Sequence, residues 1–210
     1  SWEVMILGSF VHRILESGVK RNFKALKNFE DLAKEMHLEE DWESVNLNEA
    51  LHLIRVFFER NKNKYNSDSK TEQNLKMQLA GLNFTGFADR IDLSNGEVEI
   101  VDYKTGKGNI PPLTRKWQLG YYALAAGSLG KVKRLTLDML RNDRPLEFEL
   151  DDKGNATALN SDRMEGFNLY NVEQELIKAA HDVLNAYRTG FKPCSIEKNC
   201  DFCNEYVYRF

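Results

Sequence analysis

The feature that most restricts this chain is a run of alternating residues from Leu75 to Lys104 with an Asn-Gly pair inside it. Leu75, Met77 and Leu79 alternate with Lys76, Gln78 and Ala80, the pattern of a half-buried strand. Gly81-Leu82-Asn83 predicts a turn, and Phe84 to Leu93 a returning strand. Ser94-Asn95-Gly96 carries the signal of a tight hairpin, whose central residues need φ > 0. Val98, Ile100 and Val101 then predict a third strand that ends at Asp102-Tyr103-Lys104, where Thr105-Gly106-Lys107-Gly108 breaks it.

The meander fixes the relation between three charged residues. Its second hairpin can bring Asp89 beside Asp102, and cross-strand neighbours have Cβ atoms roughly 4.5–5.5 Å apart. Two carboxylates that close repel unless one is protonated or a cation lies between them. A hard divalent ion, Mg²⁺ or Mn²⁺, is the natural occupant. Lys104 follows Asp102 by two positions, so both project from one face of the strand. A metal that polarises a phosphate oxygen and acidifies a water, next to an ammonium that offsets developing charge, is equipment for phosphodiester hydrolysis. Asp-x-Lys alone is also a common exposed ion pair. The apolar run before Asp102 and the glycine break after Lys104 favour a site, because charged residues at the end of a buried strand are where sites form.

Around the meander the periodicity is helical. Leu7, Val11, Ile14 and Leu15 mark one helix, and Leu47 to Phe58 another. Residues 61–70 are polar and predict a loop. A helix is expected from about Thr114 to Gly127, strands from Val132 to Leu140 and Leu146 to Leu150, and a last helix from Val172 to Tyr187. Helices, meander, helix, two strands and helix make an α/β fold with a mixed sheet, not a doubly wound one. We expect one domain over 1–210: a helical part (1–70), a sheet core (71–152), and a helix with a cysteine tail (153–210). The chain starts at Ser1 without an initiator Met or a signal-peptide layout, which suggests a domain excised from a longer protein.

Net charge is −3, which argues against binding DNA by bulk positive charge. Lys104, Lys107, Arg115 and Lys116 do cluster in sequence, though such a cluster taken alone reads as a solvated surface. No apolar stretch is long enough for a membrane span. Three cysteines without a secretory signal argue against a disulfide framework and point to an intracellular setting.

The motifs in order resemble the RecB-type branch of the PD-(D/E)XK nuclease superfamily. They are Gly8-x-x-x-His12-x-x-x-Glu16, Gly-x-x-Asp-Arg-Ile-Asp at Gly86 to Asp92, Ile-Val-Asp-Tyr-Lys-Thr-Gly at Ile100 to Gly106, and Gln-x-x-x-Tyr at Gln118 to Tyr122. The resemblance implies a restriction-endonuclease-like core, a central mixed sheet flanked by helices with a helical N-terminal elaboration. It implies a Mg²⁺-dependent deoxyribonuclease, exonuclease ahead of endonuclease, acting with a helicase module in DNA repair or recombination. A catalytically silent DNA-binding domain of the same fold is the alternative. The metal ligands implied are His12, Asp89, Asp102 and the main-chain carbonyl of Tyr103, and the catalytic residues implied are Asp89, Asp102 and Lys104. Gln118 and Tyr122 flank the site on a helix that contacts DNA, with Arg115 and Lys116 beside them. Taken alone, His12 reads as a core or surface histidine, Glu16 as a helix-surface acid, and Gln118 with Tyr122 as a surface pair.

Relatives in this branch often carry a [4Fe–4S] cluster held by one Cys before the first-helix motif and three near the C-terminus. Cys200 and Cys203 form a C-x-x-C pair, with Cys194 before them. The position of the third tail Cys is Arg209, and no Cys precedes His12. A cluster completed by Cys194 and an upstream Cys, a zinc site, and plain thiols all stay open.

Overall fold

The computed structural model describes residues 2–107, 110–159 and 165–190. Cys194, Cys200 and Cys203, and with them the iron–sulfur and zinc readings, lie outside the described residues. The chain divides into compact units of residues 1–173 and 174–210. In the second, the described residues are the continuation of the last helix.

Helices α1 (Trp2–Lys20), α2 (Leu26–Met36) and α3 (Leu47–Asn61) come first, with a short 3-10 turn at Glu40–Trp42. Each buries one stripe. In α1 it is Leu7, Phe10, Val11, Ile14, Leu15 and Val19, spaced by three and four residues. Helix α3 starts where the Asn46 side chain accepts the Glu49 N–H at 3.1 Å. Gly18 lets α2 approach α1, since a Cβ there would fall 2.0 Å from the Phe29 ring. The three helices close one core over Val101 and Tyr103 of the sheet, with Phe29, Phe57 and Tyr65 at its centre.

Strands β1 (Lys70–Leu79), β2 (Leu82–Ser94) and β3 (Glu97–Lys104) form the predicted meander. Helix α4 (Pro112–Ala126) follows, then β4 (Lys131–Met139), β5 (Leu146–Leu150), β6 (Asn155–Ala158), β7 (Phe167–Asn168) and α5 (Leu169–Thr189). The strands make one seven-stranded sheet in chain order. The pairings are antiparallel except β3–β4, which is parallel because α4 carries the chain back across the sheet. The sheet is therefore mixed and flanked by helices, as expected.

Several details differ from the sequence reading, among them the short strands β6 and β7, which it does not contain. The first hairpin turns at Ala80-Gly81, with φ of 49° and 79°, and not at Gly81 to Asn83. The short two-residue loop forces Ala80 into the left-handed region, which no Asn or Gly announced. Strand β1 also begins at Lys70, inside the segment read as a loop, because long-range pairing with β2 recruits polar residues that have no periodicity of their own. The Asn95-Gly96 turn is as predicted, with both residues at positive φ.

Candidate metal centre and its neighbours

The β2–β3 ladder runs from Ser94↔Glu97 to Arg90↔Val101, and Asp89 and Asp102 occupy the next step in that register. There Asp89 turns its carboxylate onto β3: Oδ2 accepts the Tyr103 N–H at 2.6 Å. The two carboxylates are thus neighbours, as the hairpin requires. In the β1–β2 register Glu72 falls opposite Asp89, between the pairs Thr71↔Arg90 and Gln73↔Ala88. Glu72, Asp89 and Asp102 make one row across three strands.

Helix α1 reaches the same row. Gly8 sits against the end of β3, where a Cβ would lie 3.0 Å from Thr105 Oγ1. One turn further along α1, His12 Nδ1 lies 3.2 Å from Asp89 Oδ1. Donor atoms of His12, Glu72 and Asp89 all lie within 4.8 Å of one another, the spacing of a cation site. One imidazole and two carboxylates are a donor set that a divalent cation can use. Glu72 was not found in the sequence. Its signal is the hairpin register, which reaches it only once β1 is extended back to Lys70.

Asp102 is buried, and α4 holds it. Gln118 Nε2 donates to Asp102 Oδ1 at 2.8 Å and to the Tyr122 hydroxyl at 3.0 Å. The Tyr122 hydroxyl lies 2.7 Å from the Phe87 carbonyl and 3.2 Å from Asp102 Oδ1, with one proton for the two acceptors. Asp102 Oδ2 meets the Lys104 ammonium at 2.5 Å, without a well-directed hydrogen bond. Gln118 and Tyr122 thus orient a carboxylate, which the i, i+4 spacing allowed but did not specify.

The electrostatics are unbalanced. Burial and the charge of Asp89 push the Asp102 carboxyl up to about 6, with Lys104 pulling the other way. Glu72 is raised by burial, Asp89 and Glu16. Burial opposes an imidazolium at His12, but the hydrogen bond to Asp89 and the charges of Asp89, Asp102 and Glu72 outweigh it, and the His12 pKa is raised. Burial is the largest cause for both acids and repulsion by Asp89 adds to it, while the surrounding carboxylates hold a proton on His12.

The other predicted residues are placed differently. Glu16 pairs with Lys20 at 2.6 Å and Arg13 at 3.6 Å, one turn beyond His12. Arg115 and Lys116 line a hollow with Leu113 and Phe167. Lys107 lines another with Glu3 and Arg141. The basic run in the sequence therefore does not form a single patch around the carboxylates.

Behind the site is a second polar cluster. Arg90 is fully buried; it donates to Asp92 at 2.9 Å, Asn61 at 2.9 Å and the Tyr103 hydroxyl at 2.6 Å. Asn61 donates to Asp138 at 2.9 Å, and Arg60 reaches the same carboxylate at 2.7 Å. This network clamps the Tyr103 side chain, and so the stretch of β3 between Asp102 and Lys104.

The mixed sheet thus gathers an acid pair, an acid-x-Lys strand end and a helical histidine in one place. The chain belongs to the PD-(D/E)XK nuclease superfamily, whose sequence profile matches residues 3–205. No curated protein matches the chain. Among the described residues no helix is long and apolar enough to cross a membrane.

Proposed function

We propose that this domain is a divalent-metal-dependent deoxyribonuclease of the RecB-type branch, an exonuclease that works with a helicase module in DNA repair or recombination. The convergence of His12, Asp89, Asp102 and Lys104 from α1, β2 and β3 carries the reading. The order of the four motifs supports the branch, and through it the helicase partner and the exonucleolytic mode. His12, Asp89, Asp102 and the Tyr103 carbonyl would hold Mg²⁺ or Mn²⁺, and Glu72 joins this set from β1. When bound, the cation supplies Lewis-acid polarisation of the phosphate and a more acidic water.

The remaining chemistry belongs to the chain. Gln118 and Tyr122 fix the Asp102 carboxylate, so its orientation is set before substrate arrives. Burial raises the pKa of the Tyr122 phenol, with the charge of Asp102 the next cause, so it stays protonated and can donate. Lys104, held in place by Asp102, orients the attacking water and offsets charge that gathers on the phosphate oxygens.

The test is cleavage of end-labelled single- and double-stranded DNA with Mg²⁺, Mn²⁺ or EDTA, for the wild type and for Lys104→Ala. Cation-dependent cleavage that Lys104→Ala abolishes is the expected result. Equal activity of the two proteins refutes the site. DNA binding without cleavage replaces the reading with a binding module.

A further inference from the structure

Past the Glu72–Asp89 row, β1 and β2 continue without β3, whose pairing with β2 begins at Arg90. The result is a two-stranded ribbon that leaves the candidate metal centre. Directly opposed residues of an antiparallel pair share a face. The pairs Asn74↔Phe87, Lys76↔Thr85 and Gln78↔Asn83 therefore share one face, and Glu72, at a φ of 47°, bends β1 at the root of the ribbon. All six side chains are exposed. The opposite face is covered by α4: the Tyr121 hydroxyl donates to the Leu75 carbonyl at 2.6 Å, and a Cβ on Gly86 would lie 2.7 Å from the Tyr121 ring. One face of the ribbon is packed, and the other is open and begins next to the Glu72–Asp89 row.

The open face has a distinct chemistry. Beyond Glu72 and Asp89 it carries no carboxylate, although the chain as a whole has a net charge of −3. It offers amides, a hydroxyl and the Lys76 ammonium. Phe87 is 54% exposed, an unusual position for a phenyl ring. Its main chain is held in the ladder opposite Asn74, with the Tyr122 hydroxyl 2.7 Å from its carbonyl. It stands two residues from Asp89, about 7 Å along the strand. An exposed aromatic ring, a cation and neutral hydrogen-bonding groups in line are what an unpaired nucleic-acid strand uses: stacking for a base, charge for a phosphate. A base-paired duplex keeps its base faces stacked internally and has none to offer the ring.

We propose that this ribbon face is the track along which a single DNA strand enters the site, with a base stacked on Phe87 and a phosphate near Lys76. The proposal rests on the deoxyribonuclease reading above. It is tested by fluorescence anisotropy of a fluorescein-labelled oligothymidylate in EDTA, where nothing is cleaved. Phe87→Ala is expected to weaken binding roughly 5- to 100-fold, the range for loss of one base–aromatic stack. Phe87→Leu should behave like Phe87→Ala, and Phe87→Trp should bind like the wild type, because the ring and not the bulk is used. Lys76→Ala should weaken binding and reduce the salt slope by about 0.7, one phosphate on a single strand. Lys27→Ala, on α2, should bind unchanged. Circular dichroism of each variant shows that the fold is kept. Wild-type affinity in Phe87→Ala or in Phe87→Leu overturns the track. So does tighter binding of a duplex of equal length. Cleavage by the wild type with binding insensitive to Phe87 overturns the track alone. Strand binding that depends on Phe87, with no cleavage in Mg²⁺ or Mn²⁺, overturns the deoxyribonuclease reading alone.

Discussion

Two polar clusters stand back to back on β2 and β3, and they are built on opposite plans. Around Arg90 the charges balance: Arg90 and Arg60 face Asp92 and Asp138, and Asn61 and the Tyr103 hydroxyl complete the hydrogen bonds. Only Nη2 of Arg90 is buried without a partner there. Around Asp89 the charges do not balance. Glu72, Asp89 and Asp102 line up against one ammonium and one imidazole, and the pKa values of Glu72, Asp102 and His12 all rise. A balanced network holds a fold together, whereas raised pKa values gathered in one place mark a candidate functional site. Consecutive residues serve the two ends: Asp89 belongs to the site and Arg90 to the scaffold, as do Asp102 and Tyr103.

Substitutions should separate the two clusters. Arg90→Ala takes the guanidinium from Asp92 and a donor from buried Asn61 and the Tyr103 hydroxyl, and should cost about 3–5 kcal/mol, read as a lowered urea midpoint. Lys104→Ala should leave that midpoint within about 1 kcal/mol, while cleavage in Mg²⁺ falls roughly 10²- to 10³-fold, the cost of one preorganised charge-stabilising group. If both variants lose stability equally, the contrast between the clusters is wrong.

Asp89→Asn keeps an acceptor for the Tyr103 N–H but removes a repelling charge. Calorimetry should show Mn²⁺ binding lost, and the melting temperature of the metal-free protein should hold or rise. A drop of more than a few degrees would make Asp89 a structural carboxylate.

The same imbalance fixes the sign of a pH effect. The folded pKa of Asp102, about 6, is above its ordinary 3.8. Its contribution to stability is then full below 3.8 and lost as pH rises through about 6. Between pH 4 and 7 the metal-free wild type should therefore lose stability relative to Asp102→Asn. Mn²⁺ binding should run the other way and weaken as pH falls through about 6, because proton and cation compete for the carboxylate. Melting curves of both proteins in EDTA and in Mn²⁺ check both signs. The smallest effect is expected for Glu72→Gln, an exposed ligand at the rim: a few-fold loss in Mn²⁺ affinity on the order of 1 kcal/mol, with stability unchanged.

The sequence determined the parts of this molecule that depend on short-range geometry. Period-two alternation and Asn95-Gly96 set the β2–β3 register, and that register makes Asp89 and Asp102 neighbours. The i, i+2 rule puts Lys104 beside Asp102, and the 2.5 Å contact follows. Helical spacing marked the buried stripe of α1. The rest was decided by packing between segments distant in the chain. Glu72 enters the row only through the far end of the β1–β2 pairing, where β1 is polar and carries no strand signal. Gln118 and Tyr122 could have faced solvent, and the seating of α4 on the sheet turned them onto Asp102. The approach of α1 at Gly8 brought His12 to Asp89. Adjacent basic residues at the start of α4 and after β3 parted into separate hollows, because neighbours in sequence leave a loop and a helix in different directions. Local rules fix which residues share a strand face. Which faces meet is set by the burial of whole helices and strands, a free energy summed over contacts far apart in sequence.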